Sequence, residues 1–110
     1  MKHIAVIDFE TTGLHAGEDR IIEVAAVVFS DGLVIDTFSE LMDPGFRIPA
    51  FITGLTGISD AMVRGKPRPE SVMPRLRRFL GDHVCLAHNA SFDRRFFAAG
   101  TVVRMLITAS

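Results

Sequence analysis

The alternation of apolar and polar positions divides the chain into short strands followed by a helix, a strand and a second helix. His3 to Phe9 is a short apolar run of β-branched character, which predicts a buried strand broken at Thr11-Thr12-Gly13. Arg20 to Ser30 (RIIEVAAVVFS) predicts a second strand, and Asp31-Gly32 is a strong signal for a two-residue hairpin. Leu33 to Met42 alternates well enough to be the returning third strand, so the first part reads as an antiparallel meander. Asp43-Pro44-Gly45 ends it, and Phe46 to Thr56 reads as a loop leading into short helical turns. Ser59 reads as an N-cap, and Gly65 to Pro69 reads as a linker.

From Glu70 to Leu80 the apolar residues Val72, Met73, Leu76, Phe79 and Leu80 fall at helical spacing, with Gly81 as the C-cap. Pro74 is the awkward residue: either it lies near the true first turn or it kinks the helix. Val84 to Ala87 predicts a short buried strand, and a helix is expected from about Phe92. This order of elements implies an α/β fold with a sheet of mixed direction.

Composition changes this picture little. With 110 residues, 48% of them apolar, 23% charged and a net charge of -1, the chain is bounded to one globular domain and is not a disordered segment. The single cysteine, Cys85, excludes an internal disulfide, sits in an apolar strand and fits a reducing, cytoplasmic setting. No apolar run reaches membrane-spanning length, so no membrane association is expected.

The chemistry is carried by carboxylates. Residues two apart on a strand share a face, so Asp8 and Glu10 are aligned at the end of the first strand. Such a pair repels itself and loses solvation, and a divalent cation with oxygen ligands relieves both effects. On its own, D-x-E more often marks a solvated strand end. His88-Asn89-Ala90-Ser91-Phe92-Asp93 is a second constellation, and an acid there fits plain stabilisation of a helix N-terminus equally well. From Arg64 to Arg78 the basic residues Arg64, Lys66, Arg68, Arg75, Arg77 and Arg78 face one acid, Glu70. That stretch suits phosphate contact or an ordinary solvated helix face.

Together, DFETTG and, about eighty residues later, HNASFD resemble the first two motifs of the DEDD exonuclease superfamily. The resemblance is to the DEDDh branch that contains the proofreading epsilon subunit of bacterial DNA polymerase III, and it covers about residues 1–97. It implies a ribonuclease H-like fold and a two-metal Mg²⁺ or Mn²⁺ site. The implied activity is release of nucleoside monophosphates from nucleic-acid 3′ ends, single-stranded DNA before RNA, with a DNA polymerase subunit as a possible partner. By that resemblance Asp8, Glu10 and Asp93 are the catalytic metal ligands, and Thr11, Thr12 and Asn89 lie at the substrate. The segment IPAFITGLTGI (residues 48–58) is similar to the stretch that lines the terminal-base pocket, which adds Leu55 and Thr56.

The resemblance also sets an expectation of incompleteness. The branch has a later H-x-x-x-x-D motif that supplies a general-base histidine and a fourth aspartate, and no His or Asp follows Asp93 here. After Gly100 the chain changes to β-branched, poorly helical sequence. A C-terminally truncated domain with an exposed sheet edge and weak or no activity is therefore expected. The alternative function is a non-catalytic remnant that binds nucleic acid or a polymerase partner.

Overall fold

The computed structural model describes residues 3–13, 18–87 and 104–107. Five strands, β1 (His3–Thr11), β2 (Ile21–Ser30), β3 (Leu33–Leu41), β4 (Val84–Ala87) and β5 (Arg104–Ile107), form one sheet in the order β3-β2-β1-β4-β5. β1, β2 and β3 pair antiparallel, while β4 runs parallel to β1 and β5 parallel to β4. This is the mixed sheet that the element order implied.

The β2–β3 connection follows from its two residues. Asp31 and Gly32 both take positive φ, 51° and 80°, and Ser30 pairs directly with Leu33. Positive φ at both central positions belongs to the turn whose twist matches that of the flanking strands. Near the hairpin the register shifts between Val28 and Phe29, so Ile35 is the extra residue on β3. Leu33, Val34 and Ile35 remain exposed on that edge strand.

Among the described residues three helices follow the meander: α1 (Ala50–Thr56), α2 (Asp60–Val63) and α3 (Pro69–Leu80). α3 begins one residue before the expected Glu70, with Pro69 in its first turn, where a missing N–H has no cost. It continues through Pro74, whose ring deprives the Glu70 carbonyl of its usual donor. The helix tolerates this because its other face is held by the sheet. Val72, Met73, Leu76 and Leu80 bury against Ala5, Ile7 and Phe9 of β1, Val24, Ala26 and Val28 of β2, and Cys85 of β4. At the far side, Arg75 donates to Glu40 at 2.8 Å and lies over the Phe38 ring, which also contacts Phe79.

α1 is a correction to the loop expected over residues 46–56. Its pattern is short and carries Gly54, so local propensity is weak. Tertiary burial of Ile52 with Ile22, Ile48, Ile58 and Val63 holds it. The Thr56 hydroxyl, donating to the Ile52 carbonyl at 2.8 Å, and Gly57 at φ 78° close its end. Ser59 caps α2 as expected, accepting from the Met62 N–H.

β5 was not expected from the sequence. Arg104–Ile107 lies beside β4 and ends the strand order of the sheet. A strand of four residues with only a long-range parallel partner leaves little local signal. The helix expected from about Phe92 lies outside the described residues. No described helix is long and apolar enough to cross a membrane.

Candidate active site

β1 alternates strictly: Ala5, Ile7, Phe9 and Thr11 are buried, whereas Asp8 is exposed and Glu10 half-buried on the opposite face. The two carboxylates therefore share one side of the strand end, as their spacing required. Parallel pairing of Ile7 with Ala87 sets the C-terminal end of β4 level with Asp8. Ligands in open α/β sheets gather outside the carboxyl ends of strands. Asp93 and Asn89, along with the rest of the second motif, lie outside the described residues.

β2 brings a further acid to this face. Glu10 pairs directly with Glu23, so the two point to the same side of the sheet. The Glu10 carboxyl is pushed above its ordinary range, first by burial, then by the charge of Asp8, then by that of Glu23. Glu23 was not singled out from sequence. Its signal was visible only once the cross-strand register was known.

The register shifts between Glu10 and Thr11. Such a bulge re-aims side chains next to a functional strand end. Here it buries both Ile21 and Ile22, which go to different clusters, Ile21 beside α3 and Ile22 beside α1. Beyond the bulge the chain is pinned by Thr12, which is 1% exposed. Its hydroxyl donates to Asp19 at 2.8 Å and accepts from the Arg20 N–H at 3.0 Å. Its own N–H donates to the Arg20 carbonyl at 2.9 Å. Gly13 sits tightly against the same closure: a Cβ there would meet the Asp19 carboxylate and push it aside. Arg20 in turn pairs with Glu70 in the first turn of α3.

A cavity of about 620 Å³ opens beside this strand end, lined by residues of β1, its following loop and α1. Glu10, Thr11, Thr12, Leu55 and Thr56 all line it, so five of the residues singled out from sequence are brought together. Asp8 is on the shared strand face but not on the lining. Two of the lining hydroxyls are already used. Thr12 donates to Asp19 and accepts from Arg20 as above, and Thr56 donates to Ile52 and accepts from the Ile58 N–H at 3.1 Å. These two residues shape the cavity more than they offer hydrogen bonds to a ligand. Thr11 donates to the Gly13 carbonyl and keeps its acceptor capacity.

Phe51 was missed. It lies one helical turn before Leu55, and both line the cavity while remaining 67% and 79% exposed. Reading this stretch as loop hid the i, i+4 relation that puts the two side by side.

Asp8 and Glu10 fit a hard divalent cation by donor chemistry, since carboxylate oxygens are its preferred ligands and Glu10 is held in an unfavourable field without one. Among the described residues, no group of three or more His, Cys, Asp or Glu side chains is arranged to hold a metal ion.

The family model described as Exonuclease (RNase_T) matches residues 5–106. The PolC-type DNA polymerase III of Clostridium perfringens is 46% identical over 91 residues, covering 83% of this chain and 6% of that protein. The PolC-type enzyme of Halalkalibacterium halodurans is 46% identical over 99 residues, covering 90% of this chain and 7% of its own. The chain thus spans a small fraction of these polymerases. A structure of exonuclease X in complex with 5′ overhanging duplex DNA superposes with a TM-score of 0.71 at 35% identity, covering 93% of this chain and 55% of that one. A product-bound structure of exonuclease I gives a TM-score of 0.81 at 18% identity, covering 97% and 30%, and shares the fold. The ribonuclease H-like sheet, the carboxylate pair at its strand end and these likenesses agree: the chain belongs to the exonuclease family of the DEDD superfamily.

Proposed function

We propose that the domain is a metal-dependent 3′→5′ exonuclease that hydrolyses the last phosphodiester of a nucleic-acid 3′ end, DNA before RNA, and releases nucleoside monophosphates. The observation that carries this reading is the aligned Asp8–Glu10 pair at the end of β1, with Glu10 at the wall of a cavity of about 620 Å³. Asp8 and Glu10 would hold Mg²⁺ or Mn²⁺, with Asp93 completing the set. When bound, such ions activate water and stabilise the leaving oxygen. The chain's own contribution is placement. Thr12 and Gly13 hold the loop after β1 against Asp19 and Arg20, which fixes the wall on which Glu10 and Thr11 stand. Leu55 and Phe51 present apolar surface to the terminal nucleotide's base, and Asn89 is proposed to contact the substrate. The DNA complex of exonuclease X supports a DNA substrate, and the PolC-type relatives support work beside a polymerase.

The test is product analysis on single-stranded DNA with Mn²⁺. A 3′-terminal label should leave at once as a mononucleotide, and a 5′-labelled strand should shorten stepwise. Cleavage starting at the 5′ end or internally, or activity that survives Asp8→Ala, would overturn the reading. Binding without cleavage would favour the non-catalytic alternative.

A further inference from the structure

We infer that the strand leading to the 3′ end crosses α1 and continues along a basic groove built from Arg47, Arg64 and Arg68; this rests on the nuclease reading of the neighbouring site. The basic residues predicted between Arg64 and Arg78 separate into two kinds. Arg75 is committed to Glu40 and to the Phe38 ring, so it serves the fold. Arg47, Arg64 and Arg68 form no ion pair among the described residues and are exposed, Arg47 on the loop before α1 and Arg64 and Arg68 between α2 and α3.

These three line adjoining depressions. One, of about 570 Å³, is walled by Asp43, Phe46, Arg47, Asp60, Arg64 and Arg68. The next, of about 670 Å³, shares Arg47, Asp60 and Arg64 with it and reaches Pro49, Ala50 and Thr53 on the flank of α1. Pro49 also lines the cavity beside Glu10, so the depressions follow one another from the carboxylates to Arg68. The two acids in the groove are partly engaged: Asp43 accepts from the Gly45 N–H at 2.9 Å and Asp60 from the Ile48 N–H at 2.8 Å. The guanidinium of Arg68 lies over Gly45, in space that a side chain at that position would occupy.

Between cavity and groove stands α1, with Phe51 and Leu55 exposed on the cavity side and Ala50 and Gly54 exposed beside them. Cationic side chains following an exposed aromatic are the combination that binds single-stranded nucleic acid, phosphates on the charges and a base on the ring. A duplex keeps its bases stacked internally and cannot use the ring. The groove therefore selects single strands and favours longer ones.

The experiment measures binding of 5′-fluorescein oligothymidylates of two and eight nucleotides to the full chain in EDTA, across salt concentrations. In parallel, dTMP with Mn²⁺ is scored by thermal shift. The eight-mer should bind at least about tenfold tighter than the dimer. R47Q/R64Q should lower the log–log salt slope by about 1.4, since each of the two phosphates left unneutralised removes about 0.7. Phe51→Ala should weaken the eight-mer about tenfold and leave that slope unchanged. All three positions are exposed, and unaltered melting temperatures would confirm folding. Equal affinity for dimer and eight-mer, or an unchanged slope in R47Q/R64Q, would overturn the groove. If dTMP still stabilises the chain in that case, the nuclease site stands without it. If dTMP does nothing while the eight-mer binds as described, the groove stands and the nuclease site falls. Polyglutamate competing as well as the eight-mer would assign the surface to an acidic protein and overturn the inference.

Discussion

Replacing Thr12 with valine removes one hydroxyl and keeps the shape of the side chain. The site is almost fully buried, and that hydroxyl makes two of the three bonds closing the loop after β1. Its bond to the Asp19 carboxylate involves an ionised partner, a class worth about 1.5–3 kcal/mol. The Arg20 N–H is left without its acceptor, at about 1–3 kcal/mol. Part of this is recovered by rehydration of Asp19, so the net loss should be about 2–4 kcal/mol. Urea denaturation should show it as a lower midpoint with an unchanged m-value. Thr12→Ser retains the hydroxyl and should lose only the methyl group, about 1 kcal/mol. A valine variant within 0.5 kcal/mol of the parent, or a serine variant as unstable as the valine one, would show that this pin does not hold the loop.

Glu10→Gln should raise the melting temperature of the metal-free protein at neutral pH. The carboxyl is raised above 4.5 in the fold, so the unfolded chain loses its proton first as pH increases; stability falls above that point, and glutamine abolishes the loss. A lower melting temperature, or one as pH-dependent as the parent's between pH 4.5 and 7, contradicts this. Burial holds the Cys85 thiol up at about 11, so folded protein should resist thiol reagents at pH 8 and react promptly in urea. Its contribution to stability should be intact below pH 9 and decline as pH rises toward 11, because there the unfolded state deprotonates first. Leu76→Ala empties a fully buried position between α3 and the sheet and should cost about 2–5 kcal/mol by urea denaturation.

The meander was legible because each strand is marked twice, by alternation along its length and by turn residues at its ends. Asp31-Gly32 set the hairpin, and the paired acids of DFETTG could be placed on one face with no structure at all. α1 and β5 were not legible, for one reason: both are short segments whose stability comes from distant partners. α1 needs Ile22 and Ile58 to bury Ile52, and β5 needs β4 alongside. Leu55 and Thr56 were placed at the pocket by resemblance. Phe51 and Glu23 required knowing which residues become neighbours across a turn of helix and across a strand pair. Thr12 and Thr56 were legible as site residues, but their hydroxyls are spent inside the fold, which only the geometry reveals.

The central claim is that the Asp8–Glu10 face binds a divalent ion. Thermal melts with increasing Mn²⁺ test it without depending on catalysis. At a metal concentration about a hundred times the dissociation constant, a folded-state ligand adds about 2.7 kcal/mol. For a domain of this size that corresponds to a rise of about 10 °C. The parent should show a saturable rise of that order, and Asp8→Asn should show almost none at the same concentrations. A rise of equal size and midpoint in Asp8→Asn, or no rise in the parent, would contradict the account.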